Sequence, residues 1–174
     1  RLFLLAEPVA QSALDASLPN VGSKGLAELN LVELSGTEAA AKFDLRPYSV
    51  DEKNYWMSSD LGSMQVSGSL RPDHVLGVGQ ASLTLAHATV RSRAESALDL
   101  GTGCGIQAIH LLEHVENITV TDISARALAF ARFNFLLNRQ ALELDESLSR
   151  IRFKLGSLLN DRDRKSGSAG MPRP

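Results

Sequence analysis

One cysteine, Cys104, stands in 174 residues, so no disulfide can close within the chain. No Cys/His cluster accompanies it, which leaves a structural zinc without ligands. A reducing cytoplasm is the expected location. Neither sign of charge is in excess: Lys and Arg number 18 against 20 Asp and Glu, a net charge of -2, and the chain as a whole carries no electrostatic footprint for nucleic acid. No apolar run approaches the length of a bilayer. Arg1-Leu-Phe-Leu-Leu-Ala6 is too short for a signal core or a span, so no membrane partner is expected. It also lacks an initiator Met, and a native start is not expected at Arg1. A G-x-S-x-G elbow and a P-loop lysine motif are both missing, which leaves hydrolase and phosphate-transfer readings without support. Aromatics make up only 5% of the residues, but 44% are hydrophobic, enough to bury a sizeable core.

What is present centres on Ser96-Ala-Leu-Asp-Leu-Gly-Thr-Gly-Cys-Gly-Ile-Gln-Ala-Ile-His110. Ala97, Leu98 and Leu100 read as a short buried strand. Gly101, Gly103 and Gly105 form a loop whose backbone can turn sharply and approach a ligand, and Ile106, Ile109 and Leu112 fall at helical spacing behind it. The start of that helix would turn its free N–H groups toward whatever lies above the loop. A second strand follows, Ile118-Thr-Val-Thr-Asp122, ending in an acid, and a second helix begins near Ile123 and runs to Asn138. An acid so placed can accept hydrogen bonds from both hydroxyls of a ribose.

The run Leu98-Asp-Leu-Gly-Thr-Gly-Cys-Gly105, with Asp122 at the next strand end, resembles the first two motifs of class I S-adenosylmethionine-dependent methyltransferases, in particular the small-domain group of release-factor glutamine and ribosomal RNA guanine enzymes. The resemblance implies a Rossmann-like α/β fold and S-adenosylmethionine as cofactor. Asp99 would face the methionine end, the backbone of Gly101, Thr102, Gly103, Cys104 and Gly105 would let the cofactor lie close, Asp122 would hold the ribose, and Ile123 would pack on the adenine. Ser157 would line the adenine edge, where many of these enzymes carry Asp. Gly103-Cys-Gly-Ile-Gln-Ala108 also fits the G-x-G-x-x-G/A dinucleotide fingerprint. Against that reading, Asp99 puts an acid just before the first glycine, where a dinucleotide site wants a close uncharged approach to pyrophosphate.

Before this region, the first 38 residues read as two short helices, the first opened by Pro8 and closed by Pro19 and Gly22, the second carrying Leu26, Leu29 and Val32 on one side. From Ala39 to about Val66, Phe43, Leu45 and Tyr55-Trp-Met57 suggest a hairpin around a polar turn. A small α+β domain over 1–69 is expected, with a winged-helix outline as one form of it. Leu45-Arg-Pro-Tyr48 and Trp56-Met-Ser-Ser-Asp60 resemble the segment ahead of the catalytic domain in an actinobacterial methyltransferase family. Leu70 to Gly79 reads as a linker leading into a helix over 80–87; the resemblance lays this segment over the cofactor pocket, while composition alone makes it a plain connection.

After the acidic connection Glu143-Leu-Asp-Glu-Ser147, Ile151-Arg-Phe-Lys-Leu155 alternates as a third strand. Residues 160–174 lose all hydrophobic periodicity and are expected to be disordered. The methyltransferase domain, 70–159, thus shows three strands where the family has about seven, so it is expected to be truncated, first half only. No Asn-Pro-Pro-Tyr or Asn-Pro-Pro-Phe run occurs. The implied reaction is methyl transfer to an amino or amide nitrogen of a protein or nucleic acid, with no catalytic residue identifiable and with self-association through an unpaired apolar sheet edge. The reading from another class is a non-enzymatic nucleic-acid-binding module on a vestigial nucleotide fold. His110 and His114 have the i, i+4 spacing of a metal pair but no third ligand, so they read as polar-face residues. Cys104 has no basic neighbour to activate it. The basic run from Arg150 to Lys165 is interleaved with Asp161 and Asp163 and reads as a solvated face.

Overall fold

The structure, a computed structural model, describes residues 1–50, 52–66 and 68–157. Leu158 and the tail over 160–174 lie outside the described residues. The chain begins with α1 (Leu2–Leu5), β1 (Val9–Ala10), α2 (Gln11–Ser17), α3 (Gly22–Glu28), β2 (Val32–Ser35) and β3 (Glu38–Ala41). The three strands form an antiparallel sheet in the order β1-β3-β2. Leu2, Leu14, Leu26, Val32 and Ala39 form a core of their own. The helix expected to reach Val32 stops early because Asn30 takes a left-handed φ of 59°, and Val32 starts a strand instead. Gly36, at φ 55°, makes the β2–β3 turn.

The hairpin expected over 39–66 is β4 (Asp44–Val50) and β5 (Lys53–Ser59), a separate two-stranded sheet. On β5 every second side chain turns inward: Tyr55 and Met57 are buried while Trp56 is half exposed. Those inward residues enter the larger core, beside Ile109, Val120 and Phe135, rather than the core of the first 41 residues. The hairpin's free edge is held by a helix. Asn134 accepts from Ser58 N–H at 2.8 Å and donates to Ser58 C=O at 2.9 Å, while Asn138 does the same with Trp56 at 2.7 Å each way.

Both asparagines belong to the last βαβ unit. The second half of the chain runs α4 (Gln80–Ala88), β6 (Ala94–Leu100), α5 (Ile106–Leu111), β7 (Val115–Asp122), α6 (Ala125–Leu137) and β8 (Ile151–Leu155). Its strands form a parallel sheet in the order β6-β7-β8, with Asp99 beside Val120 and Asp122 beside Leu155. Ser124 caps α6, its hydroxyl accepting from Ala127 N–H at 3.2 Å, and Ala127, Phe130, Ala131 and Phe135 form the helix's buried stripe. This is an α/β fold with the parallel sheet typical of Rossmann-like methyltransferases, preceded by a smaller α+β region. No helix among the described residues is long and apolar enough to cross a membrane.

Candidate functional site

In a parallel α/β sheet, the loops at the carboxyl ends of the strands converge, and ligands sit in the crevice above them. Here the loops after β6 and β7 face a cleft of about 500 Å³. One side includes Gly101, Thr102, Gly103, Cys104, Asp122 and Ile123; the other is the segment Pro72–Gly77 with Ala81, Ser82 and Leu85 of α4. Of the site residues expected from sequence, the structure brings those first six together. Asp99 and Gly105 lie behind the lining, and Ser157 is exposed outside it.

The glycines differ in what they do. Gly101 and Gly103 have φ of 70° and 56°, where side chains are strained, and a Cβ at either would meet nothing within 4 Å. The space above them is open to a ligand. Gly105, at φ 89°, is bare for packing. A Cβ there would lie 3.1 Å from Phe135 and 3.3 Å from the backbone of Ala131, so the missing side chain lets α6 approach the start of α5.

The acids are held by the loop itself. Asp122 accepts from Gly103 N–H at 3.0 Å with one oxygen and from Ser124 N–H at 2.9 Å with the other, so its carboxylate is fixed across the cleft floor. Thr102 donates its hydroxyl to Asp99 at 2.7 Å, and its own N–H reaches Thr121 C=O at 2.9 Å. Burial pushes the Asp99 carboxyl up, against hydrogen bonds from Thr102 and the Ala108 backbone, with the charge of Asp122 adding to the rise. Burial also pushes the Cys104 thiol up, which makes it a small apolar lining group rather than a nucleophile.

Two side chains that no sequence pattern singled out support this site, and a third, His110, lies away from the cleft in a place its spacing did not suggest. Asn134 donates to Cys104 C=O at 2.8 Å while holding Ser58, so the hairpin and the glycine loop share one buried amide. Asp60, buried at the end of β5, binds Arg126 of α6. His110, expected on a polar face, is instead buried, its Nε2 2.8 Å from the hydroxyl of Tyr48. The correction has a physical cause: β4 covers that face of α5, and the covering strand is distant in sequence. No group of three or more His, Cys, Asp or Glu that could hold a metal ion occurs among the described residues.

Comparison with known proteins gives two family matches. Residues 77–150 match the Methyltransferase small domain, and residues 1–42 match a domain of unknown function, DUF7059. No curated protein matches the chain. Similar solved structures include a precorrin-8w decarboxylase from Methanobacterium thermoautotrophicum, 17% identical over 45% of this chain and 38% of that one, with a TM-score of 0.35. YcgJ of Bacillus subtilis is 25% identical over 45% of this chain and 31% of that one, TM-score 0.34. A dimethyladenosine transferase from Plasmodium falciparum is 16% identical over 57% of this chain and 30% of that one, TM-score 0.36. The chain therefore spans about a third of the length of these structures. Residues 77–150, with their glycine loop, strand-end acid and parallel strands, form a domain like that of the S-adenosylmethionine-dependent methyltransferases.

Proposed function

We propose that the chain carries the cofactor-binding part of an S-adenosylmethionine-dependent methyltransferase acting on an amino or amide nitrogen of a protein or nucleic acid. The observation that carries this reading is the pair of open, left-handed glycines, Gly101 and Gly103, facing a carboxylate, Asp122, whose two oxygens are already oriented by backbone N–H groups. A carboxylate held in this way retains lone pairs for the vicinal hydroxyls of a ribose. The glycine backbone would pass under the cofactor, Ile123, exposed beside Asp122, would cover the adenine, and Asp99 would face the cationic methionine end. Ser157 is the remaining candidate for the adenine edge.

When bound, the cofactor supplies an activated methyl group on a sulfonium. The chain's own contribution is orientation and charge: it fixes the cofactor in one pose and excludes water beneath it. No residue here is assigned to the acceptor or to its proton.

For the first 41 residues, the order helix, strand, helix, helix, strand, strand with the sheet order β1-β3-β2 supports a winged-helix arrangement, its wing at the β2–β3 turn rather than in the 44–59 hairpin. Its charge does not support nucleic-acid binding. Over residues 1–42, Arg1, Lys24 and Lys42 face Glu7, Asp15, Glu28, Glu33 and Glu38, and Arg1 is paired with Glu7.

Calorimetric titration of the chain with S-adenosylhomocysteine and with a nicotinamide dinucleotide tests the cofactor. Binding of the first is expected, weakened in Asp122→Ala by on the order of 1–3 kcal/mol through two lost hydrogen bonds. Tight dinucleotide binding with no change in Asp122→Ala would overturn the assignment.

A further inference from the structure

We propose that Asp60 is a positioning residue of the cleft, clamping the wall Pro72–Gly77 to the first turn of α6 so that the two sides of the site are held as one body. The inference rests on the cofactor reading only for what the cleft binds, not for how it is held.

Asp60 exchanges two hydrogen bonds with Val75: its N–H donates to Val75 C=O at 3.1 Å, and its carboxylate accepts from Val75 N–H at 2.8 Å. The same carboxylate takes the guanidinium of Arg126 through both oxygens. Arg126 cannot easily swing away, because its guanidinium lies 5.8 and 5.2 Å from the ring centres of Phe43 and Phe130. It is two residues after Ser124, whose N–H holds Asp122. A single chain of contacts thus runs from the cleft wall through Val75, Asp60 and Arg126 to the loop of the strand-end acid.

Two further observations show how closely the wall is seated. A Cβ on Gly77 would come within 2.7 Å of Ser59 Oγ, so the wall lies directly on the end of β5. Farther along, Gln107 of α5 donates to Ser82 C=O at 2.7 Å and pins α4, the continuation of the wall, beside the glycine loop. His74, with Nδ1 3.8 Å from Asp60, lines the cleft at the point of attachment. The two-pronged contact of guanidinium and carboxylate is directional and adds geometric specificity to the attachment.

The test uses the whole chain as Asp60→Asn and as Arg126→Lys, read by amide hydrogen exchange without ligand and by titration with S-adenosylhomocysteine. In Asp60→Asn, the hydrogen-bonded amides of the wall, those of His74 and Val75, should exchange about tenfold faster, with those of β7 and of β2–β3 at wild-type rates. The S-adenosylhomocysteine Kd should rise about tenfold, because the cleft is no longer preorganised. Arg126→Lys keeps a charge but loses the two-pronged grip, and should shift both readouts in the same direction by less; should Asp60→Asn not fold, its exchange decides. Unchanged exchange at His74 and Val75 overturns the proposal, as does acceleration spread evenly over the chain, which would mark general stability only. A wild-type chain whose protection at His74 and Val75 depends on Asp60, yet which takes up no S-adenosylhomocysteine, leaves the clamp standing and overturns the cofactor reading.

Discussion

Three glycines in five residues look interchangeable in sequence, yet two of them face open space and the third is pressed by its neighbours. Gly105 is bare because Phe135 and Ala131 press on it, so Gly105→Ala should cost about 1–3 kcal/mol of stability, combining left-handed strain with overpacking. Urea denaturation measures this. Gly103 faces open space, and Gly103→Val should remove cofactor binding while circular dichroism keeps most of its amplitude; unaffected binding would make it a turn former only. Two acids in the same region titrate in opposite senses. Burial works against the charge of Asp60, but the hydrogen bonds of Arg126 and Val75 and the nearby charges of Arg126 and His74 outweigh it and hold the carboxyl below its usual range. A carboxyl depressed on folding contributes stability above its unfolded value, lost as pH falls through the folded one. Below about pH 4 the wild type should therefore lose stability faster than Asp60→Asn. Asp99, raised by burial, behaves the other way in the free protein, and a cationic ligand favours its charged form. S-adenosylmethionine affinity should accordingly rise with pH through the acid range, and calorimetry on Asp99→Asn should show that slope gone.

At the scale of elements, the parts of the site that were legible in sequence are those built locally. Strand, glycine loop, helix and strand-end acid follow one another within about two dozen residues, and each carries its own signal: apolar run, left-handed turn, helical spacing. The hairpin was legible as a hairpin, but not its place. Asn134 and Asn138 look like solvent-facing polar residues in the last turns of a largely apolar helix, and their partners stand 76 and 82 positions away. No local pattern encodes that pairing. Separations of 62 and 66 positions likewise hid the partner of His110 and the link from Asp60 to Arg126. Removing the first asparagine tests its weight: Asn134→Ala leaves Ser58 N–H and C=O and Cys104 C=O without their partner, and should cost about 2–4 kcal/mol. Faster exchange of β5 amides should accompany the loss. Equal stability in wild type and variant would mean that water replaces the amide.

Across the whole molecule, apolar area is unevenly covered. β6 pairs with β7 on one side only among the described strands, and Leu98 and Leu100 on it, expected from sequence to be buried, are instead 56% and 49% exposed. Such an edge offers unpaired backbone groups and hydrophobic area together, so the chain should associate as concentration rises, and Leu98→Lys should shift sedimentation toward the monomer. The asparagine pair has a consequence for dissection of the gene. Because α6 grips β5 through Asn134 and Asn138, and Tyr55 and Met57 fill the larger core, a cut near residue 69 would tear that core open. A cut just after Lys42 passes between the two hydrophobic clusters and leaves each whole. Chimeras that exchange the first 42 residues between relatives should therefore express where those joined at 69 fail.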